Sequence, residues 1–232
     1  DIKFKFPIWE STEIGSLIAD AIKEYVNTQP DDDTPKAQIA LVQAGCFKRG
    51  LDKGTLQAEF IQDFVMPFTP HMLKAKISGQ DILDAINGTA NSIHAVNDIG
   101  IMQVSGLKYT IDAKKPAGQR VDPKTVLVEK DGKYVPIDLD EKYIVAYDNF
   151  LRSGQEVFGS LANGELVANY EHGNPIGLIE YIKNHQDDEH LGDKNYADRI
   201  NVTNMPQEPL SIKKILGWFG IKSKEFVIEC DA

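Results

Sequence analysis

With 232 residues, of which 42% are hydrophobic and 26% charged, the chain has ordinary globular composition and can bury roughly three quarters of its unfolded surface. Its formal net charge of −10 argues against nucleic acid or an anionic membrane as a partner held by bulk attraction, so any anion must be captured by a local cationic cluster. Two cysteines, Cys46 and Cys230, are too few for a disulfide framework, and no apolar stretch reaches the ~20 residues that cross a bilayer.

Ile14, Leu17, Ile18, Ala21, Ile22 and Tyr25 recur at helical spacing. Ser11 or Thr12 can cap them and the acidic, proline-bearing stretch 28–34 ends them, which predicts an amphipathic helix. Residues 38–43, "QIALVQ", form a short run of strand formers and predict a buried strand. A glycine turn follows at Gly45, and then two adjacent cations, Lys48 and Arg49. They are either a solvated loop or the cationic cluster that an anion needs.

Residues 56–64 predict a second helix ending before Pro67, and 72–77 a strand with one wet face. In "SGQDILDAI" Ser78 caps a third helix while Asp81, three residues on, reaches back toward its positive end. Between 101 and 148 the pattern is mostly strand, with Asp131-Gly132 supplying a hairpin turn. Residues 176–184 return to helix before the polar "HQDDEH" at 185–190. Past Pro206 the character changes to a basic, apolar tail containing Trp218 and Phe219. The organisation read is one domain over 1–205 and an extension over 206–232 that packs on it or meets a partner.

No catalytic or metal-binding set stands out. The five histidines are scattered without HExxH spacing, and neither Ser105 nor Ser153 lies in a GxSxG elbow. "HQDDEH" gathers two imidazoles and three carboxylates, which suits either an opportunistic divalent ion or a solvated helix end. Cys46 is either a thiolate favoured by the neighbouring cations or a packed, inert thiol. Free thiols are the default for it and Cys230, since a bridge between them requires an exported protein. Asn87-Gly88-Thr89 and Asn201-Val202-Thr203 fit the glycosylation triplet. The start at Asp1 shows no leader, and an initial Asp in place of Met suggests a trimmed protein or excised fragment.

Five stretches taken together resemble the C-terminal, substrate-specificity domain of the 5'-nucleotidase family. "EIGSLIADAI" looks like its opening helix, and "IALVQAGCFKRG" like its strand followed by an Asn-x-Gly-Gly-Ile-Arg turn. "FVMPFTPHMLKAKISGQDILDAI" is similar to its Leu-Pro-Phe, strand and Gly-helix segment. "IMQVSGLKYTID" and "YIVAYDNFLRSGQEVF" complete the series in family order.

The resemblance implies an α/β (α+β) domain with a mixed sheet and flanking helices. It also implies a divalent metal pair on an N-terminal metallophosphoesterase domain outside this chain. By the same resemblance the turn's arginine and asparagine contact a nucleotide and two aromatic rings clamp its base. The matching positions are Gln43, Gly45, Lys48, Arg49, Ile101 and Phe158. Gln43 stands for the asparagine, Cys46 for the second glycine, Lys48 for the arginine with Arg49 one place late, and Ile101 for the first ring. Only Phe158 keeps an aromatic, and a lysine does not reproduce a guanidinium fork.

Two functions follow as expectations. One is substrate recognition in a periplasmic, cell-surface or extracellular hydrolase whose chemistry lies upstream. The other is a binding module that kept the fold and lost the nucleotide site.

Overall fold

The structure is a computed structural model, and it describes residues 9–30, 32–52, 54–94, 100–155, 157–186 and 198–205. Helix α1 (Glu13–Thr28) opens the fold, its first turn capped by the Thr12 hydroxyl, which accepts from the Gly15 N–H. Strand β1 (Ile39–Val42) follows, then a short helical turn α2 (Ala58–Phe60), β2 (His71–Ser78) and α3 (Gly79–Ala90). Next come β3 (Gln103–Ser105), β4 (Leu107–Asp112), β5 (Leu127–Lys130), β6 (Lys133–Pro136) and β7 (Lys142–Asp148). The described chain closes with α4 (Asn149–Arg152), β8 (Glu165–Gly173), α5 (Asn174–Asn184) and β9 (Ile200–Thr203).

Five strands form one mixed sheet in the order β3-β1-β7-β2-β8, in which only β1 and β7 run parallel. A second sheet, β6-β5-β4-β9, joins a local hairpin to the distant β9, which pairs parallel with β4. The hairpin turn is the predicted one, with positive φ at both Asp131 and Gly132.

Because side chains alternate along a strand, the five-stranded sheet separates two cores. Ile39 and Leu41 of β1 face the first, with α3 and the second sheet; Ala40 and Val42 face the other, with α1 and α5. Gln103 links α1 to β3, since its Oε1 accepts from both the N–H and the hydroxyl of Thr12. The α/β architecture expected from the sequence is therefore present.

Two local expectations need correction. Residues 61–65 are not α-helical: a widened turn forms in which the Met66 N–H bonds to the Ile61 carbonyl five residues back. Pro67 opposes helix at the residue before it. Strand β2 has no wet face over residues 72–75, which are all buried, because a core covers each face of the sheet there, Leu73 and Ala75 on one side and Met72 on the other. Lys74 among them is fully buried and ion-paired to Asp32 at 2.7 Å. Strands β8 and β9 were not predicted. The extension 206–232, with Cys230, and residues 187–190 of "HQDDEH" lie outside the described residues.

Candidate functional site

Parallel β1 and β7 end at the same edge of the sheet, the edge at which α/β folds present ligand-binding loops. From β1 the chain makes the tight turn Ala44–Cys46, closed by a bond from the Cys46 N–H to the Gln43 carbonyl. Gln43 and Gly45 are half-buried, whereas Lys48 and Arg49 are exposed. A bond from the Lys48 N–H to the Val65 carbonyl, 2.8 Å, ties this turn to the widened turn at 61–65.

That second turn sets phenyl rings beside both cations. Lys48 Nζ lies 5.8 Å from the Phe68 ring centre, and the Arg49 guanidinium carbon 6.0 Å from that of Phe60. Phe60 and Phe64 lean together at 5.6 Å. Phe64 and Phe68 are each 54% exposed. Sequence reasoning gave these rings no role; the available signal was phenylalanines at 60, 64 and 68, a four-residue spacing that lies on one helix side until Pro67 interrupts it.

The structure does not bring all six predicted residues together. Cys46, Phe47 and Leu51 of the cationic segment pack in the α1-side core, while Ile101 and Phe158 pack in the other. Both Ile101 and Phe158 are completely buried. The Phe158 ring meets Phe150 edge-on at 6.1 Å. The segment above it is fastened to α3: the Ser160 hydroxyl donates to the Asp81 carbonyl and the Asn163 amide to its carboxylate, each at 2.8 Å. A β-carbon at Gly88 would stand 2.5 Å from the Val157 carbonyl, so that contact leaves no slot between helix and loop. The expectation that Phe158 and Ile101 face a ligand is corrected accordingly, because core packing consumes both side chains.

Cys46 is the inert alternative. It is buried, and desolvation together with the nearby Asp148 carboxylate pushes its thiol far up, outweighing Lys48. Asp148, at the end of β7, caps α4 by accepting from the Leu151 N–H at 2.9 Å and accepts from Asn174 Nδ2 at 2.8 Å. Burial nevertheless raises its carboxyl above the usual range. A raised folded pKa stabilises the protein fully below the unfolded value near 3.9, and that contribution is lost as pH rises through the folded value. Asp148→Asn keeps a capping carbonyl and removes the titration. Its stability relative to wild type, followed by urea denaturation, is therefore expected to improve as pH rises above about 4.

The remaining candidates carry structural roles. Ser105 donates to Asp20 at 2.7 Å and Ser153 to the Phe150 carbonyl at 2.7 Å, so neither contacts a histidine. Asn87 is buried with its carbonyl accepting from the Val121 N–H, which removes it as a glycosylation acceptor, while Asn201 is exposed. Of "HQDDEH", His185 stacks on Tyr181 at 4.1 Å. Among the described residues no three His, Cys, Asp or Glu side chains converge. No described helix is long and apolar enough to cross a membrane.

Residues 4–163 match the family described as 5'-nucleotidase, C-terminal domain, and the chain belongs to that family. The trifunctional nucleotide phosphoesterase protein YfkN of Bacillus subtilis is 26% identical over 74% of this chain, which spans 11% of that protein. A snake venom 5'-nucleotidase of Macrovipera lebetinus is 26% identical over 73% of the chain, which covers 43% of it. Among solved structures, a 5'-nucleotidase precursor from Thermus thermophilus superimposes with a TM-score of 0.72 and 28% identity, over 85% of this chain and 36% of that one. The chain thus spans less than half the length of each.

Proposed function

We propose that this chain is the substrate-recognition domain of a 5'-nucleotidase-like phosphoester hydrolase. It binds a nucleotide or nucleoside-like ligand, with Lys48 and Arg49 holding the anionic group. Cleavage and the divalent metal pair are assigned to an N-terminal metallophosphoesterase domain outside these residues, so the chain alone is inert. The observation that carries the reading is the exposed Lys48–Arg49 pair, fixed by backbone hydrogen bonds at the carboxyl end of β1 in a member of this family. A periplasmic, cell-surface or extracellular location is proposed with it, supported by the snake venom relative.

Calorimetric titration with AMP tests the proposal. Lys48→Ala is expected to weaken AMP about tenfold or more, since a hydrogen bond to a charged group contributes roughly 1.5–3 kcal/mol. Unchanged affinity would remove the assignment.

A specific observation favours a second reading, a binding module that has lost the nucleotide site: both predicted clamp positions, Ile101 and Phe158, are sealed in the core. It expects no titration signal with any nucleotide. The coding sequence upstream of Asp1 separates the two, because histidine- and aspartate-rich metal motifs there belong with the hydrolase.

A further inference from the structure

We infer that the cleft between α3 and the connection from β4 to β5 is a ligand site, and that it takes a short peptide with free ends, its carboxylate on Arg120 and its ammonium on Asp84. The assignment goes beyond the role given to Lys48 and Arg49 and shares no residue with it.

The cleft holds about 530 Å³, within the range of small-ligand pockets. Gln80, Leu83, Asp84 and Asn87 recur at three- and four-residue spacing, so one stripe of α3 lines it. Arg120 lines it from the connection and is only 7% exposed. Its Nε donates to the Lys115 carbonyl at 3.2 Å and its Nη1 to the Ala90 carbonyl at 2.8 Å. Those bonds fasten the connection to the last residue of α3, where a cation suits the negative helix end. They leave Nη2 without a partner among the described residues. Sealed side-chain atoms lacking a partner occur, among the described residues, at Ser92 and Asn174 alone, so Nη2 is reached from the cleft.

No carboxylate of the described residues forms an ion pair with Arg120. Burial lowers its pKa, and no neighbouring carboxylate opposes the shift. Acids nonetheless line the same cleft. Asp112 accepts from Asn204 Nδ2 and the Lys114 N–H, and Asp122 from the Lys124 N–H. Asp84 receives, among the described residues, only the Gln80 amide, on Oδ1. Unneutralised charges of both signs in one cleft suit a ligand that carries both, because each of its ends gains a charge-assisted hydrogen bond. A polyanion meets repulsion from these acids and from the net charge of −10. The size follows from α3. Asp84 precedes Ala90, the anchor of Arg120, by roughly 9 Å along the helix axis. About two or three extended residues span that distance at about 3.5 Å each. Leu83 and Val121 supply buried apolar surface for what lies between the ends.

The test is calorimetry of the 232-residue chain with trialanine, N-acetyl-trialanine and trialanine amide. Each cap removes one terminal charge and is expected to weaken binding about tenfold or more. Asp84→Asn alters an exposed side chain and is expected to weaken trialanine by about the same factor while leaving the acetylated peptide unchanged. Arg120→Gln, with folding checked by circular dichroism, should weaken trialanine and the acetylated peptide and leave the amide unchanged. If that variant does not fold, the capped peptides and Asp84→Asn decide by themselves. Equal affinity for all three peptides overturns the assignment, as does trialanine affinity that Asp84→Asn leaves unchanged. A loss in Asp84→Asn that the acetylated peptide shares also overturns it, since the ammonium is then not the group being held. Absence of binding by every peptide overturns it as well, and leaves Arg120 as the tie that fastens the connection to α3.

Discussion

Asp32→Ala is expected to destabilise the protein by about 3–5 kcal/mol at neutral pH, because it strands a charge in the interior. Lys74 is fully buried on β2 and its ammonium meets Asp32 at 2.7 Å. The same carboxylate accepts from the Tyr170 hydroxyl at 2.6 Å and from the Thr34 N–H at 3.0 Å. Burial acts to raise the Asp32 carboxyl, but donation from Lys74, Thr34 and Tyr170 outweighs it and holds the group well below the ordinary carboxylate range. With a depressed folded pKa, the stabilisation is present above the unfolded value near 3.9 and is lost as pH falls through the folded one. The gap between wild type and variant, measured by urea denaturation, should therefore narrow below about pH 4. A difference under about 1 kcal/mol at neutral pH would mean that the ammonium finds water or another partner.

Phe158→Ala is expected to remove about 3–5 kcal/mol of stability, as large-to-small changes in packed cores do. It should leave AMP affinity unaltered under conditions where the variant is folded. The ring is completely buried, touches Phe150 and lies beneath a segment bonded to α3. Phe158→Leu should recover much of the stability, because the cavity left behind is smaller. Loss of AMP affinity at unchanged stability would reverse the assignment and return Phe158 to the ligand.

Much of the architecture was legible from local signals. The 3.6-residue recurrence of Ile14, Leu17, Ile18, Ala21, Ile22 and Tyr25 matches the buried face of α1. Ser78 caps α3 by accepting from the Asp81 N–H, as the spacing indicated. Strand β8 escaped because it lies at the sheet edge with mostly exposed or half-buried side chains, so no apolar alternation marks it. Strand β9 is only four residues long and is fixed by pairing with β4, about ninety positions earlier. Such a partnership leaves no trace within a short window.

The candidate site divides in the same way. Lys48 and Arg49 announce themselves as adjacent cations after a glycine turn, and exposure is the common state of such residues. Phe158 was named because it occupies an aromatic position in a family-like segment, yet aromatic identity does not say whether a ring faces solvent or core. That depends on which face of the five-stranded sheet its segment crosses.

The amino-acid order by itself determined helices α1, α3 and α5, most strands, the family-like series of motifs and the position of the cationic turn, because each depends on neighbours within a few residues. Tertiary structure alone decided which phenyl rings stand beside the cations and which fill the core. That choice rests on contacts between segments far apart in the chain, where burying one ring excludes water at one place and leaves another ring exposed elsewhere.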